Sequence, residues 1–170
     1  MRDSFDERFV ELFDAHYSQL FRYLDRLSGD SDVAADIAQD AFVKLYQRGS
    51  FPDLPRAWLV TVAMNLFRNT RSQHSRRLRL LTTARATHAH SDAAPMAHES
   101  VEAKETQQRV RTVMNRMPER ERRMLLLRAE GFSYREVATA LDISETSIGT
   151  LLVRAQKIFR ECYQEESSAS

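Results

Sequence analysis

The sequence predicts an all-α protein made of two small helical domains joined by a flexible linker. Helix-favouring alanine, leucine, arginine and glutamate are abundant, whereas glycine and proline occur only four times each. Apolar residues recur at helical spacing on both sides of one polar stretch, residues 82–100, where this periodicity disappears. Near the C-terminus, two short helices have separate start signals and only three residues between them, a pattern typical of a helix-turn-helix.

The first domain, residues 1–80, is expected to contain three helical segments. Apolar residues follow helical spacing as far as Leu27, and Ser28, Gly29 and Asp30 interrupt them. A further helix is expected over Val33–Tyr46, followed by a loop over Gly49–Pro55, which holds two prolines and a glycine. A long amphipathic helix then begins near Arg56. Its expected inward residues are Trp58, Leu59, Val62, Ala63, Leu66 and Phe67.

Residues 81–100 are expected to form a flexible linker, because they are rich in threonine, alanine, histidine and serine. His88, His90 and His98 suggest a metal cluster by residue count alone. No carboxylate or cysteine accompanies them at ligand spacing, and a flexible segment would lose chain entropy on binding a metal. We therefore expect no metal site.

The second domain, residues 101–163, begins with a predicted helix over Val101–Met117. Pro118 opens the next helix, where its missing N–H is not needed, and Gly131 suits the left-handed residue that ends it. The apolar run Met124–Leu127 is too wide for one core stripe, so part of it is expected to meet a partner. Residues 164–170 are polar and are expected to form a disordered tail.

The helix-turn-helix pair is expected between Phe132 and Gln156. Ser133 followed by Glu136 is a capping box. Ser144 is expected to cap the second helix, with Asp142–Ser144 as the turn. Such a pair is the hallmark of proteins that read duplex DNA.

Charge is distributed unevenly although the net charge is only +1. Residues 51–91 contain one acid, Asp53, and seven bases. Simple solubilisation normally mixes both signs, so this block indicates a localised contact with phosphate.

Several functional classes are poorly supported. The single cysteine, Cys162, excludes an internal disulfide and a cysteine-rich metal site. We find no nucleophile–base pair and no glycine loop for phosphate, and therefore expect neither catalysis nor a cofactor. No signal peptide and no apolar run of about 18 residues is visible, which favours a soluble, cytoplasmic protein without membrane insertion.

Taken in order, the segments resemble the extracytoplasmic-function (ECF) group of bacterial sigma factors in the sigma-70 family. FVELFDAHYSQLFRYLDRLSGD (Phe9–Asp30) and DIAQDAF (Asp36–Phe42) are similar to the opening helices and helix 2.2 of family domain 2. RAWLVTVAMNLFRNTRSQHSRR (Arg56–Arg77) is similar to the helix that reads and opens the −10 element. The segment from Met117 to Gln156 is similar to domain 4, which reads the −35 element.

The resemblance implies a protein that binds core RNA polymerase, directs it to promoter DNA and helps separate the strands. Asp36, Gln39 and Asp40 would dock on the β′ coiled coil, since carboxylates suit arginine-rich helices. Without the resemblance, an ordinary solvated helix face is the favoured explanation. Domain 4 would cover the β flap, and an anti-sigma factor could use the same surfaces.

Contacts with the −10 element are assigned to the long helix of the first domain. Asn65 matches a base-contacting asparagine of the family, and the arginines after it can lie along phosphates. The assigned residues are Asn65, Arg68, Asn69, Arg71, Arg76 and Arg77. Core packing is favoured for Trp58 over base stacking, and Phe51 or Asp53 in the preceding loop remain open as residues of a base-capture pocket.

Contacts with the −35 element are assigned to the second helix of the helix-turn-helix. Its expected inward stripe is Ile148, Leu151, Leu152, Ala155, Ile158 and Phe159. The opposite face would carry the DNA-contacting residues Thr146, Ser147, Gly149, Thr150, Val153, Arg154 and Lys157. The family often has Lys or Arg at position 149 and Gly at 142, so Gly149 and Asp142 predict a −35 sequence unlike that of well-known relatives.

One alternative uses the same helix-turn-helix differently. An autonomous transcriptional regulator would bind duplex DNA without polymerase, and its first domain would sense a ligand or dimerise. Co-elution with core polymerase separates the two hypotheses.

Overall fold

The computed structural model of the chain describes residues 2–81 and 100–168. Within those ranges all regular secondary structure is helical. The chain divides into two compact units, Met1–Ala93 and Ala94–Ser170. The all-α fold with two helical domains is confirmed. The expected linker and the histidines within it lie almost entirely outside the described residues.

The first unit contains three helices: α1 (Arg2–Ser28), α2 (Ser31–Arg48) and α3 (Pro55–Leu81). Asp30 caps α2, because its carboxylate accepts hydrogen bonds from the backbone N–H groups of Asp32 and Val33, at 3.0 and 3.1 Å. Gly49 ends α2 in the left-handed conformation, with φ of 70°. These signals fix where α2 begins and ends, and its apolar residues determine which face points inward.

The core of the first unit lies where α1 and α3 pack on α2. Tyr23 is fully buried, and its hydroxyl donates a hydrogen bond to the sulfur of Met64 at 3.6 Å. On α3 the buried residues are Ala57, Leu59, Val60, Ala63, Met64 and Phe67. The sequence analysis missed Val60 and Met64 and placed Val62 and Leu66 inward, whereas both are only half-buried. The true stripe is rotated slightly because Ala57, and not Trp58, occupies the buried position at the start of α3.

The second unit contains α4 (Val101–Arg116), α5 (Glu119–Ala129), α6 (Tyr134–Leu141), a 3₁₀ turn (Glu145–Ser147) and α7 (Ile148–Ser168). α7 packs against α4, α5 and α6. The fully buried residues include Val113, Met124, Leu127, Phe132, Val137 and Ile148. As predicted, Gly131 is left-handed after α5, with φ of 84°.

The C-terminal boundary predicted from the sequence is too early. α7 continues beyond residue 163 to Ser168. Arg116 of α4 forms ion pairs with Glu165 and Glu166, at 3.1 and 3.2 Å. These polar residues face another helix, which a reading of polarity alone does not reveal.

None of the described helices is long and apolar enough to cross a bilayer.

Candidate functional site

The exposed face of α2 brings together the three residues predicted to bind polymerase. Asp36, Gln39 and Asp40 are all exposed. They are three and four residues apart and therefore neighbour one another on the helix surface. The opposite side of α2 is buried, because Ala34, Ile37, Ala38, Ala41, Phe42 and Leu45 line the core. We call Asp36, Gln39 and Asp40 the acidic patch.

Sequence reasoning missed two apolar residues beside the acidic patch. Val43 is 51% exposed, three residues after Asp40, and Tyr46 is half exposed one turn further. The Tyr46 ring contacts Phe9 of α1, with ring centroids 5.1 Å apart. An exposed valine beside carboxylates is the signal that could have extended the patch.

The loop between α2 and α3 is anchored to α1. The ring centroids of Phe51 and Phe5 lie 4.9 Å apart. The Arg8 guanidinium lies 4.7 Å from the Phe51 ring centroid. Asp53 is exposed. Beside this loop lies an open cavity of about 270 Å³ lined by Arg8, Glu11, Leu12, Ala15, His16, Phe51 and Pro55. The loop therefore does not form a pocket by itself, since most of the lining residues come from α1.

The exposed side of α3 carries all six residues assigned to the −10 element. Asn65 is exposed and is followed by exposed Arg68 and Asn69 on the next turn. Every residue from Arg68 to Arg77 is exposed, and Arg71, Arg76 and Arg77 add cations around this part of the helix. The Arg71 guanidinium lies 5.7 Å from the Phe67 ring centroid, which supports it against the helix. We call these six residues the α3 basic face.

The prediction that Trp58 belongs to the core is wrong in part. Trp58 is half-buried, and the Arg48 guanidinium lies 5.8 Å from its ring centroid. The neighbouring residues Ala57 and Leu59 occupy the buried positions. The indole is thus held at the margin of the core by a cation from α2.

The helix-turn-helix has the predicted first cap. Ser133 Oγ accepts a hydrogen bond from the Glu136 N–H at 3.2 Å, and Glu136 Oε2 accepts one from the Ser133 N–H at 2.8 Å. α6 ends at Leu141, and Asp142 is left-handed, with φ of 54°. Among the described residues Asp142 alone combines a positive φ with a side chain, which explains why glycine suits this position.

The predicted cap at Ser144 is wrong. Ser144 precedes the 3₁₀ turn and makes no side-chain cap. Its hydroxyl instead pairs with that of Thr146, with 2.8 Å between the oxygens. The extra turn delays the α-helix to Ile148, so the Ser144 hydroxyl has no α-helical N–H group to cap.

Five of the seven residues predicted to contact the −35 element are exposed. Thr146 lies in the 3₁₀ turn, and Thr150, Val153, Arg154 and Lys157 lie on the outer face of α7, where Val153 is 64% exposed. On the inner side, Ile148, Leu152 and Ala155 are buried, and the other three predicted residues are half-buried. The recognition face is therefore polar and cationic around one exposed valine.

Ser147 and Gly149 depart from that prediction, because both are half-buried. A Cβ added at Gly149 would lie 4.0 Å from Cε2 of Tyr134. The Tyr134 ring therefore lies beside the start of α7. Sequence reasoning did not select Tyr134. The only signal in the sequence that could have identified it is an aromatic residue directly after a helix cap.

The run Met124–Leu127 is mostly core. Met124, Leu126 and Leu127 are buried, and Leu125 is half-buried. α5 is contacted by both α6 and α7, which accounts for its wide apolar side. The expectation that part of this run meets a partner now depends on Leu125 alone.

Within residues 2–81 and 100–168, no group of His, Cys, Asp or Glu residues is arranged to hold a metal ion. His88, His90 and His98 lie outside the described residues.

Comparison with known proteins connects these surfaces to transcription. The sequence model described as Sigma-70 region 2 matches residues 12–77, which include the acidic patch and the α3 basic face. The model described as Sigma-70, region 4 matches residues 107–158, which include the helix-turn-helix. Together the two matches cover most of the chain.

Three named relatives match along most of the chain. The chain is similar to the ECF RNA polymerase sigma factor SigL of Mycobacterium tuberculosis, with 28% identity over 160 residues, 91% of this chain and 88% of the relative. It is similar to SigX of Bacillus subtilis, with 24% identity over 168 residues, 92% of this chain and 84% of the relative. EcfG of Rhodopseudomonas palustris is 30% identical over 138 residues, 77% of this chain and 70% of that protein.

A solved structure has the same fold. The sigma factor RpoE of Bartonella quintana, crystallised in complex with the anti-sigma factor NepR, matches with a TM-score of 0.67 and 23% identity. The match covers 93% of this chain and 98% of that one. With both family regions, their order and these relatives in agreement, the chain belongs to the ECF group of the sigma-70 family and is an RNA polymerase sigma factor.

Proposed function

We propose that this sigma factor binds core RNA polymerase through the acidic patch of α2. Asp36, Gln39 and Asp40 are exposed together, whereas the opposite side of the helix is buried in the core. Carboxylates accept paired hydrogen bonds from guanidinium groups, and an amide adds a donor and an acceptor. Opposite charge also raises the rate at which the two surfaces meet. The partner surface is therefore basic, as the β′ coiled coil would be.

Strand opening at the −10 element is assigned to the α3 basic face. Asn65 can pair with the polar edge of an extruded base, because its amide both donates and accepts. The arginines beyond it can hold the displaced strand by its phosphates. Asn65 and Arg68 are three residues apart on the exposed side. This spacing supports a base contact and a phosphate contact on the same strand.

Reading of the −35 element is assigned to the outer face of α7. In helix-turn-helix proteins the second helix enters the major groove, and its N-terminal residues reach the base edges. Thr150, Val153 and Arg154 are exposed near the start of α7 and offer a hydroxyl, an apolar contact for a thymine methyl and a guanidinium for guanine. Lys157 follows one turn later, where a phosphate contact fits its point charge.

Two further assignments belong to this proposal. The protein would act in the cytoplasm, where chromosome and polymerase are found. An anti-sigma factor is a candidate regulator, because the structurally similar RpoE of Bartonella quintana is bound by one. Sigma factors initiate transcription without bond chemistry of their own, and we assign no catalytic residue.

The observation that carries the proposal is the placement of charge: Asp36 and Asp40 are exposed on α2, the exposed part of α3 from Arg68 to Arg77 carries no acid, and Arg154 and Lys157 are exposed in the first half of α7. The test is to mix the purified chain with bacterial core polymerase and measure co-elution and promoter-dependent RNA synthesis. We expect both. A chain that shifts duplex DNA alone, and neither co-elutes nor supports RNA synthesis, would be an autonomous regulator.

A further inference from the structure

The loop between α2 and α3 carries a half-buried ring and, two residues later, an exposed carboxylate. The ring belongs to Phe51 and the carboxylate to Asp53. Asp53 is also the only acid among residues 51–91, which contain seven bases. A carboxylate repels DNA phosphates, so Asp53 does not serve the phosphate contacts assigned to α3. Its chemistry suits the amino groups of bases, since carboxylates accept the hydrogen bond that cytosine N4 donates.

The Phe51 ring is held by two side chains from the first turns of α1. The ring centroids of Phe51 and Phe5 lie 4.9 Å apart, with the ring planes tilted by 36°. The Arg8 guanidinium lies 4.7 Å from the Phe51 ring centroid, within the range of a cation–π contact. Phe5 in turn contacts Tyr46 of α2, with ring centroids 5.9 Å apart. We call Phe5, Arg8 and Phe51 the loop clamp.

Packing beside the loop is incomplete, so these ring contacts decide where the loop lies. Phe51 and Pro55 line an open cavity of about 270 Å³ together with residues of α1. Ser50 and Asp53 are exposed, and Gly49 before them is left-handed at the end of α2. A short connection with few buried groups samples several conformations unless a side chain fixes it. Without the clamp, Asp53 would lose its defined position.

The loop directly precedes the helix that carries the α3 basic face. α3 begins at Pro55, and Asn65 is ten residues further along, about 15 Å at 1.5 Å per residue. This distance corresponds to about four nucleotides at the 3.4 Å spacing of phosphates along one strand of a duplex. A DNA strand held by Asn65 can therefore reach Asp53 within a few nucleotides.

We infer that the loop clamp positions Asp53 to accept a hydrogen bond from the amino group of an extruded base in the −10 element. The inference rests on the proposed assignment of α3 to that element. Cytosine, adenine and guanine each carry an exocyclic amino group, whereas thymine presents a carbonyl oxygen that a carboxylate repels. Asp53 would thus reject thymine at one position. In this scheme Asp53 contacts the base, and Phe5, Arg8 and Phe51 are positioning residues.

The test uses holoenzyme assembled from the full chain and core polymerase, with a pool of promoters randomised over the −10 element. Each promoter drives a barcoded transcript, and transcript counts give the ratio of amino-bearing bases to thymine at every position. We expect one position with a high ratio. Asp53→Ala should lower that ratio about tenfold, as for the loss of one base-edge contact. Arg8→Gln should lower it about two- to fivefold, the range for one exposed cation–π contact, and Arg8→Lys should restore it.

Two further variants show whether Arg8 acts through Asp53. Arg8→Gln should have no additional effect on the ratio once Asp53 is replaced with alanine, because both changes remove the same contact. Arg22→Gln is the matched control, an exposed arginine on α1 that is 14 positions from Arg8, about 21 Å. It should leave the ratio unchanged. Co-elution of Arg8→Gln with core polymerase should also match that of the unchanged chain.

The outcomes separate this inference from the function on which it rests. The absence of a high-ratio position, or an unchanged ratio with Asp53→Ala, overturns the inference. An Arg8→Gln effect that is equal on every −10 sequence, or that persists with Asp53→Ala, also overturns it and indicates a direct phosphate contact. If Asn65→Ala lowers the permanganate reactivity of promoter thymines while Asp53→Ala leaves the ratio unchanged, α3 opens the −10 element without the loop. If neither variant has an effect, the assignment of α3 to the −10 element fails as well.

Discussion

α2 and α7 are alike in their buried sides and different in their exposed sides. Each packs an apolar stripe into its own unit, and each exposes one valine on its outer face: Val43 is 51% exposed and Val153 is 64% exposed. Val43 has Asp40 three residues before it and Lys44 directly after it, whereas the two charged residues within four positions of Val153, Arg154 and Lys157, are both positive. The buried stripe of such a helix indicates how the helix packs in its unit. The charges around the exposed valine indicate the kind of partner that the helix binds.

The largest expected effect comes from reversing the charge of the acidic patch. Asp36→Lys with Asp40→Lys should abolish co-elution with core polymerase, because losing each charge-paired contact at an interface costs about 2–5 kcal/mol. Both side chains are exposed, so helicity by circular dichroism should not change. The matched control is Glu7→Lys with Glu11→Lys, two exposed acids at the same spacing on α1. Equal binding by the patch variant and the control would contradict the assignment of the acidic patch to polymerase binding.

On α7, Arg154→Ala should weaken promoter selection through the upstream element while polymerase binding persists. Loss of a base-reading arginine costs about 1–3 kcal/mol at one base position, whereas loss of a phosphate contact weakens all promoters alike. Transcription from a panel of −35 variants distinguishes the two. Arg160→Ala, at an exposed arginine further along the helix, serves as the control. If Arg154→Ala unfolds the second unit, the outer face of α7 has been assigned incorrectly.

α3 adds a third case to the comparison. It carries cations, as α7 does, but it is assigned to the separated DNA strands of the −10 element and not to duplex DNA. Asn65→Ala should reduce permanganate reactivity of promoter thymines more than it reduces polymerase binding. Loss of a base-edge contact costs about 1–3 kcal/mol. Gln73→Ala removes another exposed amide from the same helix and should leave reactivity unchanged. Equal reactivity in the unchanged chain and Asn65→Ala would make Asn65 an ordinary surface residue.

The smallest effect concerns stability. Gly149 has no positive φ, and a Cβ there would meet Tyr134 at an ordinary contact distance of 4.0 Å. Gly149→Ala should therefore raise the free energy of unfolding by about 0.4–1 kcal/mol, because it restricts the unfolded chain without straining the helix. Thermal denaturation measures this. A fall in the melting temperature would mean that the methyl group displaces the Tyr134 ring.

Local chain signals predicted the helices well. The Ser133–Glu136 capping box and the left-handed Gly131 depend on residues close together in sequence, and both are present as expected. The predicted cap at Ser144 was wrong because a 3₁₀ turn and the first turn of an α-helix have the same sequence signals. The phase of α3 was slightly wrong because alanine at position 57 gives almost no apolar signal, whereas the larger Trp58 dominates the pattern.

Surfaces assembled from several elements were not predictable in the same way. The acidic patch lies on one helix, so spacing predicted that its residues are exposed together, and the family resemblance supplied their expected role. The cavity beside Phe51 takes most of its lining from α1, and the contact of the Arg128 guanidinium with the Tyr134 ring joins α5 to α6. The ion pairs of Arg116 with Glu165 and Glu166 likewise join α4 to the end of α7. Contacts of this kind depend on packing between helices, which the spacing of residues along the chain does not reveal.

The most direct test of the contrast between α2 and α7 replaces each exposed valine with a photocrosslinking amino acid. Holoenzyme bound to promoter DNA is irradiated, and the crosslinked partner is identified by mass. We predict that position 43 crosslinks to a polymerase subunit and position 153 to DNA. Crosslinking of position 43 to DNA, or of position 153 to polymerase alone, would contradict the account.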